Sequence, residues 1–133
     1  MPRILFADDG LTIMKLSGAL LDDPDLILDT ATDGRSALNR VSDLAGKYDL
    51  VVLGHTIPEI PAAECVRFLK QMFRRLPVLI LGEVDDPARY DELAELGISR
   101  DRILSPNSDP ETFATWVREA LARAASQRPP DTP

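Results

Sequence analysis

At 133 residues with a formal net charge of −7, the chain has the size of one domain and the wrong sign for a nucleic-acid grip, whose affinity comes from Lys and Arg neutralising phosphates. Hydrophobic residues make up 44% and charged residues 28%, which is too apolar for a disordered chain. No apolar run approaches the roughly 20 residues that span a bilayer, and the opening Met-Pro-Arg-Ile-Leu-Phe meets Asp8 too early for a secretory core. A cytoplasmic protein without membrane contact is the expectation.

In chain order, residues 3–7 form a first short apolar run, followed by a segment whose Leu16, Leu20 and Leu21 carry helical spacing. A second run, 26–30, precedes a helix marked by Ala37, Leu38, Val41 and Leu44. The third run, 50–53, ends at Gly54 and is followed by a helix with Cys65, Leu69, Met72 and Phe73 as its stripe. Cys65, the only cysteine, has no disulfide partner and reads as a small core hydrophobe. Arg67, Lys70, Arg74 and Arg75 crowd the same segment and read first as a solvated helix face, with a local basic patch as the alternative. The fourth run, 77–81, leads to a helix with Leu93, Ala94 and Leu96 that Gly97 terminates. After the fifth run, 102–104, Asp109-Pro110-Glu111 opens a last helix with Phe113, Val117, Ala120, Leu121 and Ala124 inward.

Strands alternating with helices predict an α/β fold: a single doubly wound five-stranded parallel sheet with five helices on its two faces. Residues 1–125 read as the domain, and the polar, proline-rich 126–133 as a flexible tail or linker that cannot extend the helix. Ligands of such sheets bind beyond the carboxyl ends of the strands. Those ends are Asp8-Asp9, Gly54, Gly82-Glu83 and Ser105-Pro106.

Ile4-Leu-Phe-Ala-Asp-Asp9, Asp49-Leu-Val-Val-Leu-Gly-His-Thr-Ile-Pro58, Pro77-Val-Leu-Ile-Leu-Gly-Glu83 and Ile103-Leu-Ser-Pro106 together resemble the four strand-end motifs of receiver domains of two-component response regulators. The resemblance runs from residue 3 to 123 and implies a flavodoxin-like sheet of strand order 2-1-3-4-5. It also implies a reaction. In the family an aspartate ending strand three takes a phosphoryl group from a histidine kinase, with Mg²⁺ on the acidic pair, a hydroxyl after strand four and a lysine after strand five.

This sequence departs from that pattern at three positions. The acceptor position is Gly54, the hydroxyl position Gly82 and the lysine position Ser105, while Glu83 adds a negative group where the family often keeps a small residue. A degenerate receiver that signals by binding other proteins, without phosphorylation or catalysis, is the leading expectation. An alternative keeps phosphorylation by a kinase at a surrogate near Asp8 or Asp9. Asp8 and Asp9 either bind Mg²⁺ weakly, no other cofactor being implied, or Asp9 caps the helix opening near Leu11. His55, beside the vacant position, reads as a loop histidine rather than a phosphohistidine, since no motif supplies an orienting partner, and Asp49 lies at the wrong end of its strand. A nucleotide-binding reading fails for want of a glycine-rich loop after strand one.

The family's usual partner face would here carry Arg89, Tyr90, Arg102, Trp116 and Arg118, residue types common at binding hot spots. Trp116 has an alternative reading as half-buried beside Phe113 and Val117. The resemblance offers a histidine kinase, an output domain, another regulator or a second copy as partners, and makes Ser105–Pro106 a candidate cis peptide.

Overall fold

A computed structural model describes residues 1–82, 87–105 and 107–127. Five parallel strands, β1 (Arg3–Ala7), β2 (Ile27–Ala31), β3 (Leu50–Gly54), β4 (Val78–Leu81) and β5 (Ile103–Leu104), pair in the order β2-β1-β3-β4-β5. The expected sheet is there, with boundaries moved by one residue at several ends.

The strands alternate their burial between two cores. Leu5, Ala7, Val51, Leu53, Val78 and Ile80 face helices α3 (Gly34–Asp43), α4 (Ala62–Met72) and α5 (Pro87–Glu95). Ile4, Phe6, Leu50, Val52, Leu79 and Leu81 face α1 (Gly10–Leu16), α2 (Gly18–Leu21) and α6 (Pro110–Gln127), where Phe6 and Phe113 pack with ring centroids 5.0 Å apart. Burial on both faces is why these strands read as unbroken apolar runs rather than alternating ones. Cys65 is fully buried, and burial pushes its thiol up to about 11, as a core thiol should be.

Four details differ from the expectation. The first helix is two: the carbonyl of Ser17 accepts from Leu20 and Leu21, and the axis restarts at Gly18. That break turns Leu21 outward, where it is exposed. Met72, at the end of α4, is also exposed, and Val66 takes a place in the core instead. At the other end of the chain, α6 runs on to Gln127, two residues into the segment read as tail. No proline intervenes before position 129, and the Ser126 hydroxyl donates back to the Arg123 carbonyl at 2.9 Å. Residues 128–133 lie outside the described residues. Among the described residues no helix is long and apolar enough to cross a membrane.

Candidate functional site

The order β2-β1-β3 places the reversal of strand order between β1 and β3, so their carboxyl ends define the crevice. Ala7 stands opposite Leu53 in the β1–β3 register, which brings the next residues, Asp8 and Gly54, side by side. Gly54 in turn stands opposite Leu81, which sets Gly82 beside His55.

Asp8 is 3% exposed. Its Oδ1 accepts the Asp9 N–H at 2.7 Å, and burial above all raises its carboxyl to about 6, with the Asp9 charge adding to the rise and the N–H bond opposing it. Asp9 is the N-cap of α1. Its Oδ1 accepts from the Thr12 N–H at 2.8 Å and its Oδ2 from the Thr12 hydroxyl at 3.0 Å. The Thr12 N–H bond is the main reason that Asp9 is held below the usual carboxylate range. One member of the acidic pair is therefore a buried carboxyl and the other a helix cap.

The two glycines are occupied positions rather than gaps. A β-carbon on Gly54 would fall onto the Asp8 carboxyl, well inside the 3.0 Å that real β-carbons keep from other atoms. A β-carbon on Gly82 would fall in the same way onto the His55 β-carbon. Positive φ among glycines is confined to Gly46 and Gly97, so space and not backbone conformation requires glycine at 54 and 82.

His55 accepts at Nε2 from the Arg89 guanidinium at 2.5 Å. Arginine carries no acceptor, so this nitrogen is unprotonated. Burial, and then the Arg89 charge, lower the imidazole's affinity for a proton. Ser105 is exposed, and its hydroxyl accepts the Asn107 N–H at 3.2 Å in a local turn. Glu83 and Pro106, including the Ser105–Pro106 peptide bond, lie outside the described residues.

The five residues expected on a partner face lie on α5, just before β5 and on α6. Arg89 turns to His55. Arg118 turns to α2, 3.5 Å from Asp23 and donating to the Ala19 carbonyl at 3.3 Å. Tyr90 lies under the Arg100 guanidinium, 4.8 Å from its ring centre. Trp116 donates from Nε1 to the Asp101 carbonyl at 3.2 Å and packs on Phe113, partly buried as its alternative reading had it. Arg102 lines a cavity at the opposite end of the sheet.

Two residues that sequence reasoning missed stand beside Asp9. Leu11 and Met14, one helical turn apart on α1, are 81% and 79% exposed. Their spacing off the Leu16 and Leu20 stripe was the available signal.

No family model matches the chain. It is 33% identical over 125 residues to a protein-glutamate methylesterase/protein-glutamine glutaminase of Treponema denticola, covering 91% of this chain and 33% of that one. A protein of the same name from Nocardioides is 33% identical over 97 residues, 71% of this chain and 26% of the relative. The chain thus spans a third or less of these two relatives' length. Response regulator ArlR of Staphylococcus saprophyticus is 26% identical over 123 residues. Among solved structures, the signal receiver domain of an HD domain-containing protein from Pseudomonas fluorescens superposes with a TM-score of 0.82 at 23% identity, covering 96% of this chain and 91% of that one. A CheY-like receiver domain protein from Methanospirillum hungatei gives 0.82 at 12% identity, covering 96% and 99%.

Proposed function

We infer that this chain, a receiver domain of the response-regulator class, signals without accepting a phosphoryl group and without catalysis of its own. The observation that carries the reading is the Asp8 carboxyl standing where a side chain on Gly54 would begin. An acceptor carboxylate at that position is absent, and one placed there would first have to displace the Asp8 carboxyl.

The donor set does not fit Mg²⁺ either. The cation wants near-octahedral oxygens and usually one or two free carboxylates. Asp9 accepts one hydrogen bond at each oxygen in the α1 cap, Gly54 offers none, and Asp8 is a buried carboxyl with a raised affinity for a proton. Among the described residues no group of three or more acidic, histidine or cysteine side chains is placed to hold a metal. The same facts weigh against a surrogate acceptor at Asp8 or Asp9. The groups that would stabilise transferring phosphate are changed too: Gly82 has no side chain, and Ser105 offers a neutral hydroxyl where the family has an ammonium.

What remains is binding. The scaffold is intact without the reactive groups, and function resides in surfaces carried by the fold. The exposed Leu11 and Met14 and the edge around Tyr90 and Trp116 supply apolar and aromatic contact area for a signalling protein: a kinase, an output domain, another regulator or a second copy. Titration with Mg²⁺, followed by amide ¹H–¹⁵N spectra, tests the reading. The expected result is no saturable shift at residues 8–12 or 54–55. Saturable shifts confined to those residues would overturn the loss of the metal site.

A further inference from the structure

We infer that the cavity at the amino-terminal ends of β3, β4 and β5 is an anion site for a compact phosphate-bearing group of about pyrophosphate size. It encloses about 270 Å³ and is lined by Lys70, Arg74, Arg75, Arg102 and Arg123, with Asp101 as its one carboxylate.

The five cations come from three parts of the chain. Lys70 is on α4, Arg74 and Arg75 are on the turn into β4, Arg102 is at the start of β5 and Arg123 is on α6. Only the tertiary fold gathers them, in a chain whose formal net charge is −7. The solvated helix face expected for Arg67, Lys70, Arg74 and Arg75 is therefore divided. Arg67 stands 3.6 Å from Glu92 on the α5 side, and the other three line the cavity.

Countercharge is scarce. Asp101 already accepts from the Ser99 hydroxyl and stands 3.8 Å from Arg123. Among the described residues Lys70, Arg74, Arg75 and Arg102 stand within 4.0 Å of no carboxylate, whereas Arg3, Arg35, Arg67 and Arg118 do. Lys70 is half-buried, and burial together with the nearby Arg102 pushes its ammonium below the ordinary lysine range. Cations held this way repel one another until an anion enters, and planar guanidiniums match phosphate oxygens in pairs.

Size and shape narrow the ligand. The volume is below the ~300–1,000 Å³ of sites for drug-sized molecules. The floor is apolar, with Leu50, Leu76 and Leu79. A concave site of this size suits the terminal phosphates of a small molecule better than the extended backbone of a nucleic acid, which needs a stripe of cations.

Titration of the full chain with inorganic pyrophosphate, followed by amide spectra, tests the site, with inorganic phosphate and ATP as parallel arms. Saturable shifts are expected at residues 70, 74–79, 99–102 and 120–124. Equal affinity for pyrophosphate and ATP would identify the inorganic group as sufficient, and tighter ATP binding a phosphoester ligand; either supports the site. Lys70→Ala and Arg102→Ala should each weaken binding about tenfold, equivalent to about 1.4 kcal/mol, while Arg67→Ala should not change it. Arg74→Ala/Arg75→Ala, at two exposed positions, gives the same test without risk to folding. Absence of saturable shifts, an equal loss in Arg67→Ala, or tighter binding of a single-stranded oligonucleotide or an acidic peptide to the same residues would overturn it.

Discussion

The carboxyl of Asp8 occupies the place where a side chain on Gly54 would start. The two residues end adjacent parallel strands one step beyond the Ala7–Leu53 pair, so a side chain on Gly54 must first turn the Asp8 carboxyl out of its buried place. Restoring aspartate at position 54 should then fail on two counts: overpacking costs ~1–3 kcal/mol, and a second carboxylate beside Asp8 adds like-charge repulsion. Gly54→Asp should lower stability in urea unfolding and gain no phosphoryl group. In a double-mutant cycle, Asp8→Ala should make Gly54→Ala better tolerated, with a coupling of ~1 kcal/mol or more.

A parallel prediction concerns Gly82 and the His55 β-carbon. Gly82→Ser, which restores a hydroxyl, should destabilise by ~1–3 kcal/mol. His55→Ala keeps the β-carbon and should not rescue it, whereas His55→Gly should. Thermal midpoints of the three variants decide between this contact and a general intolerance of the position.

Asp8 gives stability a definite pH dependence. Its folded carboxyl titrates near 6, above the ordinary 3.8, so the folded state holds a proton that the unfolded chain has already released. The favourable contribution is complete below pH 4 and is lost as pH rises through 6, amounting to at most about 3 kcal/mol. Asp8→Asn has no such proton, so its stability relative to the wild type should rise between pH 4 and pH 7. Urea midpoints at several pH values measure the difference.

At the other end of the sheet, Asp29 on β2 accepts from the Tyr48 hydroxyl at 2.6 Å and from Arg3 Nε at 2.9 Å. Burial, then the Asp29 bond, push the Tyr48 phenol up to about 12. Burial alone would raise Asp29, and the bonds from Tyr48 and Arg3 hold it below its ordinary range instead. Tyr48→Phe should cost about 1 kcal/mol in urea unfolding, with no effect on amide signals at Asp8 or Gly54.

Much of this was legible in the sequence because burial on both faces leaves unbroken apolar runs in β1, β3 and β4, and these with two half-buried runs at regular spacing admit few arrangements. Gly97 at φ +87° and Asp109, which accepts the Thr112 N–H at 2.7 Å, end and start helices as their residue types dictate. The break at Ser17-Gly18 was not legible, because Leu16 and Leu20 keep helical spacing across it. Nor was the filling of Gly54 and Gly82. Glycine at a strand end suits either an unusual φ or a close approach, and only the register of β1, β3 and β4 shows which neighbour takes the space. Arg102 and Lys70 read as separate surface charges until the fold joins them.

Intact mass after incubation of the wild-type chain with acetyl phosphate and Mg²⁺ tests the central claim most directly. The account predicts an unchanged mass. A Mg²⁺-dependent gain of one phosphoryl group, mapped to Asp8, Asp9 or His55, would contradict it and show which residue had taken the role of the missing acceptor.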